Sequence, residues 1–395
     1  MVEFFLPPEL WLIIFRHATV TRFTASLSST TYIPFLSISE SIVIDEALQT
    51  KYVIIRVCRL WRDLAIDLLY EDVVVLREYA TGLRGALEDH AATDIGHRSR
   101  VRRVCLPYSS TVPQMATAYP TDVLGILKDC PSLEVLVRPN LIYGSRGEAQ
   151  LFEYQAEECP PLNSLKRVDW SHRNDAARTG GINSLADVLL AAPNVTFLSI
   201  EGQVGLNLMR PNSTVVLNAL TTLHFRHVNM LFTLLITKWQ LPSLRHIILD
   251  GCTDIYMLQS IAQSFGHQIQ TLELGKSLKF YANDALHPVL ESCPVLEEIS
   301  YYVCFTKVPD SLPKPHRSLH TVRLHSAINL LLLVDEDMYW SHVDAHFHTF
   351  CSTTSYPTLS RVVLYGSWSP ILDHLQNLPG MQKLKKRGCI VEVFH

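Results

Sequence analysis

The densest group of ligating side chains in the sequence is Asp335-Glu336-Asp337 followed by His342, Asp344, His346 and His348. His342 and His346 stand four residues apart, so a helix would carry both imidazoles on one face. With one carboxylate they could complete a zinc site. The stretch falls in the widest gap of a repeat described below, where an exposed insert is expected. Its alternation from His342 to His348 suits such a surface equally well. The expectation is therefore no metal site.

Other chemistries leave no trace. There is no phosphate-binding glycine loop, no G-x-G-x-x-G, no G-x-S-x-G elbow and no H-E-x-x-H, and the 16 glycines are spread along the chain. The basic run from Lys383 to Arg387 reads as a solvated surface. No catalytic residue and no cofactor is expected, and the protein is not expected to be an enzyme.

The elements that could position any site begin with composition. The chain has 395 residues, 48% apolar and 18% charged, with a mean hydropathy of +0.13. That is too apolar and too weakly charged for extended disorder, and it is long enough for one large or two to three ordinary domains. A formal net charge of −4 offers no cationic surplus for phosphates, so nucleic acid is not an expected partner. The nine cysteines are scattered without a C-x-x-C pair. They suit reduced thiols, and hence the cytoplasm or the nucleus, better than a disulfide framework. The first nine residues do not read as a signal peptide, and no apolar run approaches the roughly 18 residues of a membrane span.

A frame with apolar residues at positions one, four and six fits ten segments. They begin at Val101, Leu133, Leu165, Val195, Leu220, Leu244, Ile269, Leu296, Leu319 and Leu359, and only Arg138 breaks the pattern, at position six. The starts are 32, 32, 30, 25, 24, 25, 27, 23 and 40 residues apart. Several segments are introduced by proline, as in Cys130-Pro131-Ser132 and Leu241-Pro242-Ser243, and helical stretches such as Thr121 to Lys128 lie between them. Units of one helix, one turn and one short strand cannot bury their apolar faces singly. Stacked, they form a parallel sheet with an outer helical layer, which is the leucine-rich-repeat arrangement. The expected class is α/β: a small helical N-terminal module over residues 1–75, with an insert at about 19–44, then a right-handed solenoid with a C-terminal cap over 76–395.

In the helical module, Leu10, Trp11, Ile14, Phe15 and Ala18 line one face of a first helix. A middle helix should run from Asp45 or Glu46 to about Val53, and Val57, Leu60, Trp61, Leu64, Ala65, Leu68 and Leu69 line a third. The run from Leu6 to Phe15, together with Val57-Cys58-Arg59-Leu60-Trp61-Arg62-Asp63-Leu64-Ala65, resembles the F-box, whose pattern is L-P-x-E-L…I and then V-C-x-x-W-x-x-L-A. With Leu69-Tyr70-Glu71 and the repeats that follow, the chain resembles the large fungal, basidiomycete-type F-box families. The insert is longer than in compact F-boxes.

The resemblance implies a substrate-recognition subunit of a Skp–cullin–F-box E3 ubiquitin ligase. Leu6, Pro7, Leu10, Ile13, Ile14, Val57, Cys58, Trp61 and Leu64 would dock the Skp-type adaptor, and the repeats would bind a protein substrate. Substrate contacts are expected at frame positions five and seven, with His224, Arg226, Asp250, Glu273, Tyr302, Arg323, His325 and Tyr365 as candidates. These columns mix charge signs and aromatics, which points to a protein partner. The alternative is a leucine-rich-repeat interaction scaffold that recruits no ligase. A metal-dependent enzyme built on residues 335–348 ranks last.

Overall fold

Frame position four is where neighbouring strands lock. In the computed structural model, β1 (Asp72–Val74), β2 (Arg103–Cys105), β3 (Val135–Arg138) and β4 (Arg167–His172) pair in parallel and in sequence order, with Val73, Val104, Leu136 and Val168 opposed. A second ladder follows the same rule through β6 (Thr222–Arg226), β7 (His246–Asp250), β8 (Thr271–Leu274), β9 (Glu298–Tyr302), β10 (Thr321–His325), β11 (Arg361–Tyr365) and β12 (Ile390–Phe394). There the opposed residues are Leu223, Ile247, Leu272, Ile299, Val322, Val362 and Val391. β5 (Phe197–Gly202) lies between the two runs in sequence. The frame therefore extends beyond ten segments, because β1 and β12 keep its register. The structure describes residues 6–19, 30–36, 45–75, 80–88, 97–106, 120–138, 159–172, 181–204, 215–251, 255–327, 329, 335–368 and 371–394. They belong to two compact units, one of Met1–Thr31 and Leu36–Leu198, the other of Tyr32–Phe35 and Ser199–His395.

Seven of the ten segments share one opening turn. The amide at frame position one donates to the carbonyl three residues earlier, as in Leu133 to Cys130 at 3.3 Å, Leu244 to Leu241 at 3.1 Å and Leu296 to Cys293 at 3.1 Å. Proline stands second in these turns, where its fixed φ is preorganised and its missing N–H costs nothing. Frame positions one, four and six then point inward. In all ten segments none of these residues is more than 4% exposed. Arg138 obeys the burial although it breaks the apolar rule. Its guanidinium lies over the Trp170 ring at 4.7 Å and donates to the Asn183 carbonyl at 2.9 Å.

In the first unit, α1 (Pro8–Thr19), α2 (Asp45–Val57) and α3 (Arg59–Glu71) pack on one another. Pro7 opens α1, its carbonyl accepting from Leu10 and Trp11. Cys58 separates α2 from α3 and caps the latter, its sulfur accepting from the Trp61 amide at 3.5 Å. Val57 thus ends α2 and does not begin the stripe of α3. Phe15, Ile54, Ala65 and Leu68 form the core, with Trp11, Ile55, Trp61 and Leu64 packed on it. Ala18, expected on the buried face, is exposed; Thr19 is buried instead and returns its hydroxyl to the Phe15 carbonyl at 2.7 Å. Apart from residues 19 and 30–36, the expected insert lies outside the described residues. α4 (Ala80–Glu88), α5 (Pro120–Asp129) and α6 (Leu185–Ala191) complete this unit.

The second unit holds α7 (Met230–Ile236), α8 (Ile255–Phe265), α9 (Leu278–Ala282), α10 (Leu286–Ser292), α11 (Glu336–Phe350), α12 (Leu372–Asn377) and α13 (Pro379–Lys386). The segment expected to be an exposed insert is α11, a fifteen-residue helix that fills the wide gap. Asp335 caps it, and Tyr339, Val343, His346, Phe347 and Phe350 recur at helical spacing to bury one face. The basic run also departs from the expected free surface at its last residue. Arg387 donates to the carbonyls of Phe350, Ser352, Tyr356 and Leu359, tying α13 to the turn before β11.

Candidate functional site

The three-helix module leaves an apolar surface outside its core. Leu6, Leu10, Ile13, Ile14 and Val57 are each between 40% and 56% exposed, and Pro7 and Cys58 are exposed beside them in sequence. Trp61 and Leu64 take a different position. The Trp61 ring meets those of Trp11 and Phe15 with centroids at 4.8 and 4.9 Å, and Leu64 packs on the same core. Three further exposed residues, Leu48, Tyr52 and Val53, were not singled out from sequence, and Leu60, placed in the apolar stripe of α3, is exposed as well. The signal was available: Leu48 and Tyr52, and Val53 and Val57, are four apart on α2 and share faces that the core does not use.

The histidine pair on α11 turns inward, and both ring nitrogens of His346 are partnered. His346 is fully buried, with Nδ1 at 3.0 Å from the Tyr301 hydroxyl and Nε2 at 3.1 Å from the Thr306 carbonyl. His342 Nε2 is 3.0 Å from the Val303 carbonyl. The two Nε2 atoms also lie 3.3 Å from each other, and burial holds both imidazoles below their ordinary value, which favours the neutral rings. Burial and the neighbouring His342 push His346 down to about 3. Among the described residues no group of three or more histidine, cysteine, aspartate or glutamate side chains is placed to hold a metal.

Three adjacent strands carry an arrangement invisible in the sequence. Ser199 Oγ lies 3.3 Å from His224 Nδ1, and His224 Nε2 lies 3.2 Å from Asp250 Oδ2. The order resembles a nucleophile, a base and an orienting carboxylate. However, Ser199 has no exposed surface, and its Oγ already accepts from Arg226 Nε at 3.0 Å. That bond occupies one of its two lone pairs, and burial keeps the oxygen out of reach of a substrate. Arg226 also meets Glu201 at 3.5 Å. His224, Arg226 and Asp250 thus form one polar ladder with Ser199 and Glu201.

The other predicted substrate residues converge around a part of the chain itself. Tyr32 donates its hydroxyl to Glu273 Oε2 at 2.8 Å, lies 3.1 Å from Ser300 Oγ, and stacks on His246 with centroids 5.2 Å apart and planes 9° from parallel. The Phe35 amide donates to the same Glu273 oxygen at 2.9 Å. The Phe35 ring is enclosed by Tyr302, His325 and Tyr365 at centroid distances of 5.2, 5.1 and 5.0 Å. Arg323 is ion-paired with Glu298 on the neighbouring strand. The Ala327 amide donates to His325 Nδ1 at 3.0 Å, which leaves the ring proton on Nε2. His325 is held down to about 4 by burial and by Lys276. Burial drives Glu273 up from 4.5 to about 7, against the two hydrogen bonds from Phe35 and Tyr32.

Position three was the column that sequence reasoning missed. Strand side chains alternate, so positions three, five and seven share a face; His246 and Glu298 both stand at position three. Tyr32 and Phe35 carried no signal, since a Pro-containing polar insert reads only as a loop.

No family model and no curated protein matches the sequence. Among solved structures, a Bacteroides fragilis protein from a structural-genomics programme shares 13% identity over 84% of this chain and 76% of its own, with a TM-score of 0.33. The TLR13–ssRNA13 complex shares 14% identity over 68% of this chain and 43% of its own, with a TM-score of 0.28. At such scores the repeat architecture rests on the chain's own register and burial.

Proposed function

We propose that this chain is a non-catalytic substrate-recognition subunit of a Skp–cullin–F-box E3 ubiquitin ligase, its helical module docking the adaptor and its repeats holding a protein substrate. The observation that carries this reading is the exposure of Leu10, Ile13, Ile14 and Val57 on helices whose other residues form a closed core, with Leu6 exposed just before the first helix. Large apolar side chains at solvent on a small helical module are anchors for a partner. They are also the residues that carry the F-box resemblance. The ligase chemistry would belong to other subunits, and this chain would contribute the effective concentration of substrate lysines.

Co-expression with a Skp-type adaptor and size-exclusion chromatography test the assignment. The expected result is a stable one-to-one complex that Leu10→Asp with Ile13→Asp abolishes. A folded chain that elutes apart from the adaptor would leave the second reading, a leucine-rich-repeat scaffold that recruits no ligase.

A further inference from the structure

Tyr32-Ile33-Pro34-Phe35 lies against strand residues that face out of the repeat core, where a repeat protein meets its partners. What it meets there is a set of groups suited to reading a peptide. His246 offers a flat ring beneath a tyrosine. Glu273 accepts a phenolic hydroxyl whose oxygen in turn accepts from Ser300, and Glu273 also accepts a backbone amide three residues later. Tyr302, His325 and Tyr365 enclose a second ring on three sides. The seat is built from five strands, β7 to β11.

The occupant is held under strain. Phe35 has φ of 56°, and Pro34 before it gives the pairing of a type II turn, in which glycine or asparagine normally takes the left-handed position. A residue with a Cβ is disfavoured there. The seat compensates by enclosing the ring and accepting the amide. A partner segment that presents the same groups would compete with it for these contacts.

We propose that this face of the second unit is a recognition site for a tyrosine-x-proline-aromatic turn on a partner protein, and that Tyr32–Phe35 is its intramolecular occupant, which leaves when the partner binds. The proposal rests on the receptor reading for its biological sense, naming the class of segment the repeats take. Its physical content does not involve the adaptor.

The test uses the full chain and, as probe, a labelled peptide of residues 30–36, Thr-Thr-Tyr-Ile-Pro-Phe-Leu, titrated by fluorescence anisotropy with no adaptor present. Tyr32→Ala with Phe35→Ala empties the seat. That chain is expected to bind the peptide, and the wild type to bind it about tenfold more weakly or worse, because its competent state is rarely open. Peptides with tyrosine changed to phenylalanine, or phenylalanine to alanine, should lose most of the affinity. A folded, emptied chain that ignores the peptide overturns the proposal; so do equal affinities for the emptied and wild-type chains, or indifference to the two peptide changes. If the emptied chain does not fold, Tyr32→Phe, which removes one hydroxyl, decides. Tighter peptide binding than wild type supports displacement, and unchanged or absent binding overturns it. Loss of adaptor binding would touch none of these readings.

Discussion

Tyr32 and Glu273 are 241 residues apart in sequence and 2.8 Å apart in space, the phenol donating to a carboxylate that is itself buried. The charge on Glu273 therefore sits where water cannot solvate it, and two donors from the Tyr32–Phe35 segment partly replace that water. Their compensation is incomplete, because the group still titrates at about 7 rather than 4.5.

That incomplete compensation fixes a pH dependence. Between 4.5 and about 7 the folded chain keeps a proton that the unfolded chain has released. Stability contributed by Glu273 is complete below this window and is lost as pH rises through it, by about 3 kcal/mol in all at about 1.4 per unit. Glu273→Gln should remove the slope, so its denaturant midpoint relative to wild type should climb from pH 4.5 to 7. Parallel profiles would show that Glu273 is solvated.

His346 gives the opposite sign. The unfolded chain protonates it below 6.5, whereas the folded chain resists down to about 3. Stability is therefore intact above 6.5 and lost as pH falls toward 3. His346→Gln should be destabilised at neutral pH by about 1–3 kcal/mol through its broken buried hydrogen bonds. It should also lose less stability than wild type on acidification. An equally steep acid branch in both chains would mean that the imidazole is not held neutral.

Exposed and packed residues of the helical module should separate cleanly. Leu10→Asp and Ile13→Asp change side chains already in water and should shift stability by no more than about 0.5 kcal/mol while abolishing adaptor binding. Trp61→Ala removes an aromatic from the Trp11–Phe15 stack and should cost about 3–5 kcal/mol. Thermal melts of both variants beside adaptor pull-downs check the pair. A stable Trp61→Ala chain that fails to bind would move Trp61 from the core to the interface.

The repeat frame itself can be probed at Leu249 and Leu272, each 2% exposed. Truncation to alanine should cost about 2–5 kcal/mol at either site. Val216→Ala, at a residue 46% exposed, should lie within about 0.5 kcal/mol of wild type. Equal midpoints for all three variants would contradict the inward placement of the frame.

The strands were legible because burial in a stacked repeat imposes one apolar pattern on every unit, so ten weak signals reinforce each other. The ten-segment frame left out β1 and β12: Gly388 at position one breaks the apolar rule at β12, whereas Tyr70, Val73 and Val75 satisfy it at β1 and went unread. α11 was misread because its buried face includes His346, whose polar atoms are satisfied by Tyr301 and a backbone carbonyl. Charged residues around it hid the apolar stripe. Tyr302, His325 and Tyr365 emerged from column position alone, but their convergence on Phe35 depends on a contact between distant parts of the chain, which periodicity does not encode.

The hydrogen bonds that join β6 to β12 connect segments that are near neighbours in sequence, so each strand can add to the last at small entropic cost. The Tyr32–Phe35 seat is different. Its walls come from five successive strands, β7, β9, β10 and β11 meeting the two rings and β8 supplying Glu273. Docking of this segment must therefore follow assembly of the strands beneath it, making it a late event in folding and an early one in unfolding. Its rings report whether that part of the stack is complete.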